Sequence, residues 1–276
     1  MLVTLNDVLC KAQKEKYAVG LFNTVNLEMA QGVLAAAKAL HAPVIIVTAE
    51  VLLPCAELRE LARFVKPMAE EADVPVVLHY DHGLTEKRIL EAISLGFTSV
   101  MYDCSTAGYE ENIQRVKDVV AYAHSKGVTV EGELGHVGAN SSAEDSGIYT
   151  EPDQAADYVA RTGVDALAVA IGTAHGVYKE KPRLDIARLR ELRQAVPVPL
   201  VLHGGSGLTE QDFRNCIEAG ISKVNIFTDI NRAQADAAYE NYREGCGATS
   251  LLNAETEAVK QTTMEKMRIF GCENQG

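Results

Sequence analysis

A chain of 276 residues is long enough to bury a large core without staples, and 47% hydrophobic residues with 21 glycines describe an ordinary globular protein, not a disordered one. A formal net charge of -12 argues against nucleic acid or an anionic membrane as a partner, because both demand a basic face. No apolar run approaches the roughly 20 residues that span a bilayer. MLVTLND carries no basic cluster before an apolar core, so a cytoplasmic protein without a targeting segment is expected. The six cysteines, Cys10, Cys55, Cys104, Cys216, Cys246 and Cys272, form no Cys-x-x-Cys pair and are expected to be reduced and structural.

In chain order, a short opening helix with Thr4 and Asp7 spaced as a capping box gives way to regular alternation of strand-like and helix-like segments. The strand candidates are Ala18 to Phe22, Val44 to Thr48, Val74 to His79, Ser99 to Tyr102, Thr129 to Glu133, Ala166 to Ile171, Leu200 to His203 and Lys223 to Phe227. Helical patterns between them stop at Gly96, Gly127, Gly163 and Gly220, where a C-cap is wanted. Eight strands alternating with helices predict a (β/α)8 TIM barrel in preference to a doubly wound sheet. The tail through Phe270 reads as extra terminal helices, and no linker divides the chain, so residues 1–276 are expected to form a single barrel domain. One long irregular segment, Gly135 to Thr150, has the small polar residues of a mobile loop, and loops of this length are functional lids or disordered.

Active sites of such barrels gather at the carboxyl ends of the strands, so polar residues there are the candidates. Asp81 and His82 follow the third expected strand and Asp103 the fourth; Glu131 and Glu133 share one face of the fifth. His175 follows the sixth, His203 ends the seventh and Asn225 lies in the eighth. Three histidines from three strand ends suit a catalytic zinc ion with an open fourth position. His124, within a helix, and His136, on the irregular segment, are left out, as is His79, which is expected to point away from His203. HGGSG (His203 to Gly207) runs from an apolar strand towards a helix, and VNIFTD (Val224 to Asp229) follows the last strand, so their amides can close around a phosphate.

Taken together, HYDHG, EGELG, AIGTAHGVY, LHGGSG and KVNIFTD resemble, in the same order, the class II, zinc-dependent ketose-bisphosphate aldolases. GTAHGVY and the compact length look closer to the tagatose-1,6-bisphosphate branch than to the longer fructose-bisphosphate enzymes. The resemblance implies that His82, His175 and His203 ligate Zn2+, that Asp81 is the catalytic acid/base, and that Asp103 and Glu133 approach a second or displaced metal position. It further implies that Gly176, Gly204, Gly205, Ser206, Asn225, Ile226, Phe227 and Thr228 bind dihydroxyacetone phosphate, with a monovalent cation, Na+ or K+, assisting. A homo-oligomer, dimer or tetramer, is implied as well.

Two departures stand out. Asp103, Cys104, Ser105 and Thr106 replace the DGSH of many relatives, and the acidic pair Glu144 and Asp145, candidates for a loop base, comes later than expected. The implied chemistry is zinc acting as Lewis acid on a ketose carbonyl while Asp81 moves the C4 hydroxyl proton. Competing readings are an aldolase for a deoxy-keto-gluconate phosphate or a sulfofructose phosphate, a zinc hydrolase on the same barrel, and a non-catalytic subunit.

Overall fold

Each apolar run expected to be a strand is one in the computed structural model of the chain, whose described residues are 1–137, 149–176, 178 and 180–276. A two-residue strand, β1 (Leu2–Val3), comes first, followed by β2 (Val19–Asn23), β3 (Val44–Ala49), β4 (Val76–Gly83), β5 (Ser99–Tyr102) and β6 (Thr129–Leu134). β7 (Ala166–Val169), β8 (Leu200–Leu202) and β9 (Ile221–Ile226) complete the set. Strands β2 to β9 pair in parallel with their sequence neighbours and β9 returns to β2, closing an eight-stranded TIM barrel; β1 lies along Val76 and Val77 of β4.

Helices alternate with the strands because a parallel strand must be reached by a crossover, and the helix covers the apolar outer face of the sheet. Among the described residues they are α1 (Leu5–Glu15), α2 (Leu27–Ala39), α3 (Leu58–Glu71), α4 (Glu86–Leu95), α5 (Tyr109–Ser125), α6 (Pro152–Thr162), α7 (Ile186–Ala195), α8 (Glu210–Ala219), α9 (Thr228–Asn241) and α10 (Leu252–Ile269). The expected capping box is present: Thr4 N–H donates to the Asp7 carboxylate at 2.8 Å. The expected extra helix, α10, packs across α2 and α9. Its approach to α2 requires Gly32, where a Cβ would meet Val259 Cγ1 at 2.8 Å.

The barrel interior departs from the usual filling of branched apolar residues. His79, Ser99, Glu131 and Lys223, on four different strands, are each 0% exposed. A polar layer therefore lies beneath the carboxyl-end mouth, and it determines how the site above it is held.

Candidate functional site

The first structural difference from expectation is at β4, which does not stop at His79 but continues through Asp81 and His82 to Gly83. Successive residues of a strand face opposite sides, so Asp81 and His82 could not both face the mouth if the strand were regular. It is not. The β4–β5 register shifts between Tyr80 and Gly83, and His82 has φ 42°, a left-handed conformation that costs a non-glycine residue about 1–3 kcal/mol. That local strain swings the His82 ring to the side already occupied by Asp81.

His82 there meets the two other predicted histidines. Ring centroids lie 4.5 Å apart for His82 and His203, 4.8 Å for His82 and His175, and 5.8 Å for His175 and His203. One nitrogen from each lies within 4.8 Å of the others. His82 Nδ1 is hydrogen-bonded to Asp103 Oδ2 at 2.8 Å and His203 Nε2 to Glu131 Oε1 at 2.9 Å. Their other nitrogens, His82 Nε2 and His203 Nδ1, are buried with no partner. Carboxylates orienting imidazoles whose remaining nitrogens converge, unsatisfied, is the arrangement that holds a divalent cation, and the residues fit one. Glu133 Oε2, also buried and unpartnered, lies 3.4 Å from His203 Nδ1, and His82, Asp103 and Glu133 form a second group with metal-ligand spacing.

The cluster's electrostatics are mutual. For His203, burial opposes the charged form, but Glu131 and Glu133 outweigh it and push the imidazole up to about 10. For His175, burial and the neighbouring His82 and His203 act together and hold it down at about 3.

Asp81 is buried at the centre of this arrangement. Burial would raise its carboxyl pKa, yet His82, Lys223, His203 and His79 together hold it well below the usual carboxylate range, so it is ionised. Asn225 Nδ2 donates to it at 3.2 Å and Asn23 Nδ2 at 3.4 Å, fixing its orientation. Asn23, at the end of β2, was not singled out from the sequence.

His79 requires a correction. The expectation that it points away from His203 fails, because His79 and Asp81 are two residues apart on one strand and share a face. His79 Nε2 lies 3.8 Å from Asp81 Oδ1 and 3.9 Å from Glu131 Oε2, and Nδ1 is 2.7 Å from Ser99 Oγ. Burial first, and then the Lys223 ammonium, keep it neutral, down at about 3. Lys223 was also missed: its Nζ donates to Glu131 Oε2 at 2.6 Å, both groups fully buried, so Glu131 sits between Lys223 and His203. Burial would raise Glu131, and the lysine and histidine together hold it at about 2.

Of the other histidines left out, His124 pairs with Asp165 on the exposed side of α5. His136 is connected after all: its Nδ1 lies 3.1 Å from Ser105 Oγ, which donates to Asp103 Oδ1 at 2.7 Å. Glu144 and Asp145 lie outside the described residues, as does most of the expected lid.

On the far side of the mouth the two glycine-rich and polar runs are knitted together. Ser206 Oγ accepts from Phe227 N–H at 3.2 Å and from Asp229 N–H at 3.4 Å, and Gly205 N–H donates to Asn225 O at 3.2 Å. Helix α9 begins at Thr228, so the amides of its first turn emerge beside Ser206, at the positive end of the helix, as an anion site requires. Gly204 has φ 67° and packs against the Ala174 carbonyl so closely that a Cβ would lie 2.3 Å from it. Gly176, φ 93°, follows His175. Ile226 is buried in the core, which leaves only its backbone to face a ligand.

Comparison with known proteins bears on the family and the fold. The family described as "Fructose-bisphosphate aldolase class-II" matches residues 3–275. The chain is 40% identical over 268 residues, 95% of each protein, to the "uncharacterized protein YdjI" of Escherichia coli K12. It is 37% identical over 281 residues to the fructose-bisphosphate aldolase of Staphylococcus aureus Mu50, covering 99% of this chain and 98% of that one. Among solved structures, the crystal structure of the YdjI aldolase from E. coli K12 superposes with a TM-score of 0.92 at 38% identity, covering 100% of this chain and 99% of that one. The crystal structure of a "putative fructose-1,6-biphosphate aldolase" from Coccidioides immitis superposes with a TM-score of 0.91 at 29% identity, covering 98% of this chain and 97% of that one.

Proposed function

The chain belongs to the class II fructose-bisphosphate aldolase family, and from that premise we propose that it reversibly cleaves a ketose 1,6-bisphosphate, tagatose or fructose 1,6-bisphosphate, to dihydroxyacetone phosphate and glyceraldehyde 3-phosphate. The observation that carries the reading is the pair of buried, unpartnered nitrogens, His82 Nε2 and His203 Nδ1, converging with His175 beside an ionised Asp81. In this reading His82, His175 and His203 hold Zn2+. When bound, the cation would supply a Lewis acid for the ketose carbonyl.

The remaining work falls to the chain's own groups. Asp81, oriented by Asn23 and Asn225, accepts the C4 hydroxyl proton in the cleavage direction and returns it in condensation. Its depressed pKa keeps it in the basic form at neutral pH. The amides around Gly204 to Ser206 and the first turn of α9 hold the phosphate on C1, so the triose is oriented for attack. The proton exchanged at C3 of dihydroxyacetone phosphate is assigned to Glu144 or Asp145.

The test is a panel of ketose phosphates assayed for released dihydroxyacetone phosphate. It comprises the tagatose and fructose 1,6-bisphosphates, the corresponding 1-phosphates, a deoxy-keto-gluconate phosphate and a sulfofructose phosphate. Chelator-sensitive release from a bisphosphate is expected. Release of inorganic phosphate alone would indicate a hydrolase, and no release from any member would remove the aldolase reading.

A further inference from the structure

Two of the three histidines, His175 and His203, follow the ends of β7 and β8, past the rungs that pair those two strands with each other. The β7–β8 ladder pairs only Leu167 with Leu200 and Ala168 with Val201, and both histidines lie beyond it. Past the ladder, a phenol hydrogen-bonds both loops, which also touch where Gly204 packs on Ala174. Tyr178 Oη accepts a hydrogen bond from Ala174 N–H at 3.0 Å and donates its own proton to the Gly204 carbonyl at 2.8 Å. Ala174 immediately precedes His175, and Gly204 immediately follows His203. The same ring packs over Gly207, where a Cβ would lie 3.3 Å from it.

Gly204 belongs to both halves of the site. It adjoins His203, and it opens the loop whose amides face the phosphate in the proposed reading, on which this step rests. We infer that Tyr178 is a positioning residue that couples the two: a phosphate held by the Gly204 to Ser206 loop fixes the Gly204 carbonyl, and the Tyr178 hydroxyl carries that constraint to Ala174 and so to His175. The phenol suits the task because it must donate and accept at once. Burial pushes it up to about 12, so it remains protonated across the working pH range. Phenylalanine would fill the same space and do neither.

The experiment is a zinc titration of the full chain, against a competing fluorescent chelator, with and without methyl phosphate. This probe has no carbonyl or hydroxyl to reach the metal in place of a triose. In the parent, methyl phosphate should tighten zinc binding by about 5-fold or more, within the usual range of coupling, and zinc should tighten methyl phosphate by the same factor. In Tyr178→Phe the factor should fall to within about 2-fold of unity, while the metal-free variant melts cooperatively near the parent.

A parent that binds methyl phosphate with no change in zinc affinity overturns the inference without any variant, as does a Tyr178→Phe protein that keeps the full factor. Either result leaves the aldolase reading intact if the ketose panel still releases dihydroxyacetone phosphate. A panel that releases none removes that reading separately.

Discussion

Replacing Lys223 with Met tests whether the layer beneath the site is an ion-paired support. The substitution keeps the length of the apolar stem and removes the charge that faces Glu131 at 2.6 Å. Both side chains are 0% exposed, so the carboxylate, left with His203 as its remaining partner, cannot be hydrated from outside, and removing one partner of such a pair costs about 3–5 kcal/mol. For a chain of about this size each kcal/mol shifts the melting temperature by roughly 2–4 °C, giving a drop of about 6–20 °C. The assay is urea unfolding at neutral pH with chelator present, so that metal binding adds nothing to either protein.

A companion, Lys223→Met with Glu131→Gln, neutralises the stranded carboxylate and should recover at least about 1 kcal/mol relative to Lys223→Met alone. The pH dependence has a definite sign. Glu131 is depressed to about 2 in the folded protein, so its contribution is complete above the ordinary carboxyl value of about 4.3 and is lost as pH falls towards 2. The deficit of Lys223→Met should therefore be largest at neutral pH and narrow on acidification. A single variant within about 1 kcal/mol of the parent, or a double variant less stable than the single, would refute the argument.

Three further outcomes follow from the proposed reading. Dialysis against a strong chelator should abolish ketose cleavage and zinc or cobalt should restore it, with His203→Ala losing metal and activity together; full turnover in a sample verified to be metal-free would count against it. Asp81→Ala should keep zinc and bind dihydroxyacetone phosphate while cleavage falls by roughly 100- to 10,000-fold, whereas a merely structural carboxylate would lower the melting temperature and spare turnover. Deleting Ser141 to Ser146, which includes Glu144 and Asp145, should slow tritium exchange at C3 of dihydroxyacetone phosphate far more than it weakens binding; exchange at the parental rate would move the proton to Asp81 or to water.

Much of the barrel is legible because its strands are buried on both faces and read as apolar runs of β-branched residues, while glycines end several helices: Gly96 and Gly163 cap α4 and α6 with positive φ, as the sequence suggests. The carboxyl ends are less legible. β4 runs on into polar residues because it is entering a polar interior, and hydropathy alone reads that change as the end of a strand. β1 is two residues long and has no periodicity to detect.

Within the site, residue type was informative where the side chain itself can ligate or titrate, which is why His82, His175, His203 and Asp81 emerge together, with Asp103, Glu131, Glu133 and Asn225 among the candidates beside them. Their pairings did not, because each depends on register across the barrel: Glu131 meets His203 across a separation of 72 residues and Lys223 across 92. A lysine in a strand reads by default as exposed, and an asparagine such as Asn23 as a turn former. Yet a rule for finding part of this layer was available. Once Asp81 faces the mouth, alternation places His79 on the same inner face one step down, and the same step from Glu133 leads to Glu131 and from Asn225 to Lys223. Those three, with Ser99, are the fully buried polar groups found behind the histidine cluster. His82 is the exception that the rule cannot supply, since its ring reaches the site only through the register shift and the φ of 42°. The period-two step therefore recovers the supporting layer of a barrel site from its mouth residues, and it fails at His82, where the strand backbone is strained.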